Sequence, residues 1–183
     1  MTSTEGRLLI AVPKLHDKNF FKSVVLMIRH NADGAFGLTL NRPGSIRVED
    51  VWSQITDSPC HWPGTLFVGG PVEGPLMVLH DQSDASDTEV APGAFLSVDP
   101  EQIKIVFTNP AANAQLYLGY CGWGPGQLEQ EMAAGAWITA PAAREHVFEA
   151  DGELWTRVNR ALSAESLRST LNIKHLPPDA RAN

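Results

Sequence analysis

Two cysteines and six histidines are the side chains of this sequence best suited to nucleophilic or general-base work near neutral pH. Cys60-His61 sets a thiol next to a candidate base. Neighbours on an extended chain point to opposite faces, however, so that pairing requires a turn. Cys121 stands inside Gly119-Tyr120-Cys121-Gly122-Trp123-Gly124-Pro125-Gly126, four residues before a helix expected to start at Pro125. A nearby helix N-terminus would activate the thiol. The competing and preferred reading is a small buried side chain between glycines, since free cysteine is among the most buried residue types. His30 and His80 each close a predicted strand, and with Asn31 and Asn41 they are candidates to line one polar pocket at a sheet rim. The alternative is that His30 and Asn31 hydrogen-bond the backbone of a turn. Ser23 and Thr39 are the nearest hydroxyls, but no nucleophile-elbow pattern surrounds them.

The remaining constellations point away from a reaction centre. Glu129 and Glu131, two apart on a helix, face about 200° apart and share no substrate. Gln127 and Glu131, four apart, face together. Gly69-Gly70-Pro71 lacks the lysine and Ser/Thr of a phosphate-binding loop and reads as a tight turn. There is no C-x-x-C or H-E-x-x-H, and Asp81, Asp84 and Asp87 step by three, not by the two of a calcium loop. No catalytic residue, metal or cofactor is therefore assigned. The candidate binding residues are His30, Asn31, Asn41, Gly69, Gly70, His80, Tyr120, Trp123 and Gln127, with Tyr120 and Trp123 as aromatic anchors.

These residues need a scaffold, and the hydrophobic pattern predicts one. Strands are expected at Leu8–Val12, at Val24–Ile28 (apolar throughout, hence covered on both faces) and at Phe36–Leu40, where alternation reads as half-buried. Asn31-Ala32-Asp33-Gly34 joins the last two as a hairpin, and Pro43-Gly44 ends it. Val48, Val51, Trp52 and Ile55 make one face of a short helix capped by Ser45. Further strands are predicted at Leu66–Val68, Leu76–Leu79, Phe95–Val98, Ile103–Phe107, Gln115–Gly119 and Trp137–Thr139, with a solvated acidic loop over Asp81–Glu89. A helix from Pro125 buries Leu128, Met132 and Ala136 and ends near Gly135; two more, Glu153–Leu162 and one capped by Ser163, turn Leu154, Trp155, Val158, Leu162, Leu167 and Leu171 inward.

The totals set bounds. A chain of 183 residues with 43% hydrophobic content supports one core, read as a single domain over 1–183 with a loose tail at 174–183. A net charge of -7 disfavours bulk nucleic acid and anionic membrane. The one local basic bias, Arg157, Arg160, Arg168, Lys174 and Arg181 against Glu165 and Asp179, leaves DNA binding as a minor alternative. The longest aliphatic run, Val24 to Ile28, is too short to span a bilayer, no secretion signal is read, and two cysteines make no disulfide framework; a cytoplasmic setting is expected.

Three blocks carry a resemblance: Ser23 through Pro43, with His30-Asn31-Ala32-Asp33-Gly34; Phe67-Val68-Gly69-Gly70-Pro71-Val72 with Leu79-His80; and Gly119 through Glu131, continuing to Trp137. Together they resemble the AlgH/YqgE family of bacterial proteins across most of residues 7 to 160. The resemblance implies an α+β fold in which a bent or bifurcated, mainly antiparallel sheet forms a pseudo-barrel with helices outside. It brings no agreed catalytic residue and no enzyme activity. Members are named as transcriptional regulators, one in connection with alginate production, although no DNA-binding motif is legible here. The leading expectation is a binding or regulatory module with an unidentified protein partner or small ligand, whose surface joins Gly119–Gly126 to the His30-Asn31 turn and the Gly69-Gly70 turn. An enzyme using Cys121 or a rim histidine, and a DNA-binding regulator, are the rivals.

Overall fold

The computed structural model describes residues 3–56, 60, 62–85 and 88–170. Its strands are β1 (Arg7–Ala11), β2 (Val24–Asn31), β3 (Gly34–Thr39), β4 (Pro43–Arg47), β5 (Thr65–Val68), β6 (Val72–His80), β7 (Thr88–Ala91), β8 (Ala94–Ser97), β9 (Ala114–Trp123) and β10 (Trp137–Pro141). The α-helices are α1 (Val48–Ile55), α2 (Pro100–Thr108), α3 (Gln127–Ala133), α4 (Arg144–Phe148) and α5 (Leu154–Thr170). Every strand pair is antiparallel except β5 with β9.

The strands run in the order β10-β1-β2-β3-β9-β6-β8-β7. Ala140 of β10 and Val90 and Ala91 of β7, from opposite ends of that order, join one apolar cluster with Leu26, Leu38 and Tyr117. The sheet therefore curls into a half-barrel around a shared interior, which α4 and α5 close with Val147, Leu154 and Val158. Two further clusters lie on the other face. One, under α1 and α2, contains Trp52, Ile103, Phe107 and Leu116. The other, under α3, contains Leu9, Val25, Cys121, Trp123 and Leu128. Strand β2 is thus covered on both sides, as its unbroken apolar run predicts: Val24 to Met27 are fully buried.

β9 is where the sheet branches. One edge pairs with β6 over most of its length, with a bulge between Val72 and Leu76. The other edge pairs with β5 at Tyr117 and Leu118, then with β3 at Cys121 to Trp123. Gly119, at φ +73°, sits at the change of partner.

Several expectations need correction. Ile103–Phe107 lies in α2, not in a strand: Asp99 Oδ1 accepts the Glu101 and Gln102 N–H groups, and Pro100 sits in the first turn. The strand expected at Gln115–Gly119 continues to Trp123, so the glycine-rich block is mostly strand. Pro43-Gly44 opens β4; Ser45 lies in that strand, and Arg47 stands at the α1 N-cap without a side-chain cap bond. Phe36–Leu40 is more than half-buried: Gly37 through Leu40 are all buried, with Leu38 and Leu40 in the interior cluster and Thr39 against Cys121. The segment after His80 is no free loop, since Asp81 is bound on several sides and Glu89 belongs to β7. The helix after Pro125 begins at Gln127. The two C-terminal helices are one, α5, with Ser163 inside it and Leu167 exposed. Leu171 and the 174–183 tail lie outside the described residues.

Candidate functional site

Backbone proximity builds the branch point. Gly69 N–H donates to Leu118 O at 2.9 Å, and its carbonyl accepts Thr39 N–H at 2.7 Å. A Cβ on Gly69 or Gly70 would run into the backbone of Gly119 or Tyr120; one on Gly119 would lie 2.8 Å from Val72 O and 2.9 Å from Gly70 O. Only glycines let the two chains cross so closely. The sequence reading of Gly69-Gly70 as a tight turn is incomplete: the glycines are needed for the crossing itself.

Cys121 sits beneath this crossing, fully buried. Its thiol donates to Gly69 O at 3.3 Å, so the Thr39 hydroxyl, 3.2 Å away, donates to the sulfur. Burial pushes the thiol pKa up to about 11, against opposing pulls from Thr39 and Arg42. A thiol so protonated is a poor nucleophile at neutral pH. Cys60 is half-buried and directs its sulfur to Trp62 O at 3.7 Å; its supposed partner His61 is outside the described residues.

The two strand-end histidines are separate. His30 pairs with Ala35, and Ala35 with Trp123, at one end of β9; His80 pairs with Ala114 at the other. They do not line one pocket with Asn41. Buried His30 accepts the Thr4 N–H at Nδ1 (3.2 Å), which fixes the proton on Nε2, donated to Glu129 at 3.1 Å. The Thr4 hydroxyl adds a 2.9 Å bond to Nδ1. His80 accepts Gln82 N–H at Nδ1 (3.2 Å), and its Nε2–H reaches Ser97 Oγ at 2.9 Å. Ser97 in turn donates to Ala85 O at 2.7 Å. Burial lowers the His80 pKa, with Asp81 and Gln82 acting the other way, which favours the neutral ring. Asn41 accepts Val24 N–H (2.9 Å) and donates to Lys22 O (2.8 Å), suturing the start of β2. Asn31 accepts Asp33 N–H at 2.9 Å and fixes the hairpin turn, as one of its two readings expects. Neither histidine is hydrogen-bonded to Ser23 or Thr39.

Trp123 is a core side chain rather than a surface anchor. Its indole stacks on Phe20, and its N–H reaches Glu131 at 2.9 Å. Trp137 donates to the same carboxylate at 2.8 Å and Gln127 at 3.0 Å, so Glu131 ties α3 to two strands. Sequence reading put Gln127 and Glu131 on one face but missed the tryptophans, whose approach depends on tertiary packing. Tyr120 is half-buried, edge-on to Phe36 at 5.3 Å between ring centroids.

What stays open is apolar. Val68, Leu118 and Val72 are 43%, 44% and 37% exposed. With Gly70, Pro71 and Gly74 they line a cleft of about 410 Å³ beside the crossing. Val68 pairs directly with Leu118, so both stand on one face of the sheet. The expected surface already included Gly70 and Gly119, but spacing gave no sign of the exposed Val68, Val72 and Leu118, because the cleft forms where two strands separated by some fifty residues meet.

Fold and site together define an α+β protein with a curled, branching sheet and, among the described residues, no nucleophile–base pair assembled for catalysis. The chain belongs to the AlgH-like family, whose model matches residues 8–166. It is similar to a UPF0301 protein of Chlorobaculum tepidum, 38% identical over 169 residues and 87% of each chain. It is also similar to a UPF0301 protein of Myxococcus xanthus, 36% identical over 163 residues, 86% of this chain and 90% of the relative. Among solved structures it resembles the AlgH protein from Pseudomonas aeruginosa, with a TM-score of 0.72 at 28% identity over 98% of both chains. A Corynebacterium diphtheriae protein gives 0.69 at 28% identity over 88% of both. No helix of the described residues is long and apolar enough to cross a membrane.

Proposed function

We propose that this protein is a cytoplasmic binding module that regulates a protein partner by contact, without catalysis of its own. The observation that carries the reading is the Val68–Val72–Leu118 cleft. Aliphatic side chains standing in water around a concave surface suit a partner's apolar side chain. The rival thiol enzyme is disfavoured by the burial and raised pKa of Cys121. For the DNA-binding alternative, Arg157 is already held by Asp151 at 2.6 Å and by Glu149 O at 2.7 Å. Lys174 and Arg181 lie outside the described residues.

The test is affinity capture with wild-type protein and Leu118→Glu from nuclease-treated lysate. The proposal expects a protein retained by wild type and lost by the variant, with both equally folded by circular dichroism. A partner held equally by both would refute the cleft. Capture seen only from a parallel untreated lysate, with affinity falling steeply in salt, would move the function to nucleic acid.

A further inference from the structure

Ser3 to Gly6 lie as a strap across the end of β2, and most of their bonds converge on His30. Ser3 Oγ donates to the His30 carbonyl at 3.2 Å, and the Glu5 carboxylate accepts the His30 N–H at 2.8 Å. The Thr4 N–H and hydroxyl both meet Nδ1 of the ring, at 3.2 and 2.9 Å. Thr4 and His30 are 3% and 5% exposed, whereas Ser3 and Glu5 face solvent. The buried part of the strap's grip therefore rests on one ring nitrogen.

The strap also spans the seam of the half-barrel. Gly6 N–H donates to Met27 O of β2 at 2.9 Å, and Gly6 O accepts Ala142 N–H, just after β10, at 3.4 Å. A Cβ on Gly6 would stand 3.5 Å from Val90 O of β7. β10 and β7 are the two ends of the strand order, and Gly6 reaches both. Beside it, Glu5, Gly6, Ile28 and Val90 border a recess of about 470 Å³.

We infer that His30 is a proton-operated latch for this strap: protonation at Nδ1 releases residues 3–6 from β2 and opens the seam. In the neutral ring Nδ1 must accept, because a backbone N–H only donates, and Nε2–H goes to Glu129 at 3.1 Å. The imidazolium donates from both nitrogens. Its Nδ1–H then faces the Thr4 N–H, two donors with no acceptor between them, in a buried place where an unmatched donor is costly. The Thr4 hydroxyl can turn to accept, but the amide cannot. Nε2 keeps its partner, and the bond to Glu129 becomes an ion pair. One proton thus tightens the hold of the ring on α3 while it breaks the hold on the strap. Glu129 from α3 and Glu5 from the strap both favour the charged ring; β3, which pairs beside His30, brings no charge, and Arg29 and Asp33 on the hairpin itself carry opposite signs. The released form binds one proton more than the docked form, so falling pH favours release.

The experiment follows the full chain by NMR from about pH 7.5 to about pH 5.5, where imidazoles titrate and carboxylates ordinarily stay charged. Ring-nitrogen shifts report His30. Hydrogen-exchange protection, corrected for its intrinsic pH dependence, reports the amides of Thr4, Gly6 and Ala142. Protection of these three is expected to fall roughly tenfold or more, with the midpoint of the His30 titration, while the Leu9 amide in β1 keeps its protection. His30→Gln offers an acceptor to Thr4 and a donor to Glu129 but has no titrating proton, so its strap should stay protected throughout. Glu129→Gln keeps a hydrogen-bond partner without the charge and should move the wild-type midpoint down by about half a pH unit or more. The inference is overturned if His30 titrates while Thr4 protection stays constant, or if the His30→Gln strap loosens with the wild-type midpoint. It also fails if the ring remains neutral down to about pH 5.5.

Discussion

Cys121 and Leu118 lie three residues apart on β9 and have opposite fates. Around Cys121 each group of apparent chemical promise is occupied: the thiol by Gly69 and Thr39, and the nearby Trp123 indole by Glu131. Around Leu118 the side chains are aliphatic, and they remain open to solvent. The difference arises at Gly119. Before it, β9 borrows the short strand β5; after it, β9 joins β3 and lies beneath α3. Branching a sheet requires close backbone crossings and small, fully bonded side chains. The residues that look reactive in the sequence are consumed in holding the branch together, and the surface left for binding is made of residues that look bland.

Substitutions can break each side of this contrast. The largest effect is expected for Gly70→Ala, whose new methyl meets the Tyr120 backbone. A loss of about 4 kcal/mol or failure to fold is expected by denaturant titration. A variant within about 1 kcal/mol of wild type would show that the crossing imposes no constraint. Next is Glu131→Leu, which removes the acceptor of two indole N–H groups. At about 1–3 kcal/mol for each orphaned donor, roughly 3 kcal/mol should disappear.

Cys121 sharpens the comparison through pH. Unfolded, the thiol ionises near its ordinary value of 9.0; folded, it holds its proton to about 11. Between those values the unfolded chain binds fewer protons, so stability falls as pH rises, by at most about 3 kcal/mol. Cys121→Ala should flatten that decline relative to wild type, while an unchanged slope would mean that the thiol is accessible. The smallest effect on stability is expected for Leu118→Glu, within about 0.5 kcal/mol by thermal or denaturant melting.

Much of the frame was legible because local pattern and tertiary environment agree. The five apolar residues from Val24 to Ile28 form a strand buried on both faces over most of its length, and Asn31 to Gly34 form the hairpin turn. The Ile103–Phe107 run is ambiguous because a short apolar stretch fits strand or helix; the Asp99-Pro100 start signal decides for helix. Spacing alone turns Leu167 inward, whereas on the long helix α5 it stands exposed. The site was less legible. The burial of Cys121 follows from its residue type, yet the cleft depends on β5 meeting β9 in parallel, and Trp123 resembles a surface anchor in the sequence because its carboxylate partner lies in the next helix.

The most direct measurement places a photo-crosslinking residue at position 118 in living cells, with position 105 as the control. Ile105 is also exposed and apolar but lies on α2, away from the cleft. A single protein adduct from position 118, absent from position 105 and displaced by excess wild-type protein, is the predicted result. Equal labelling from both positions, or adducts at 105 alone, would contradict a cleft that binds a partner.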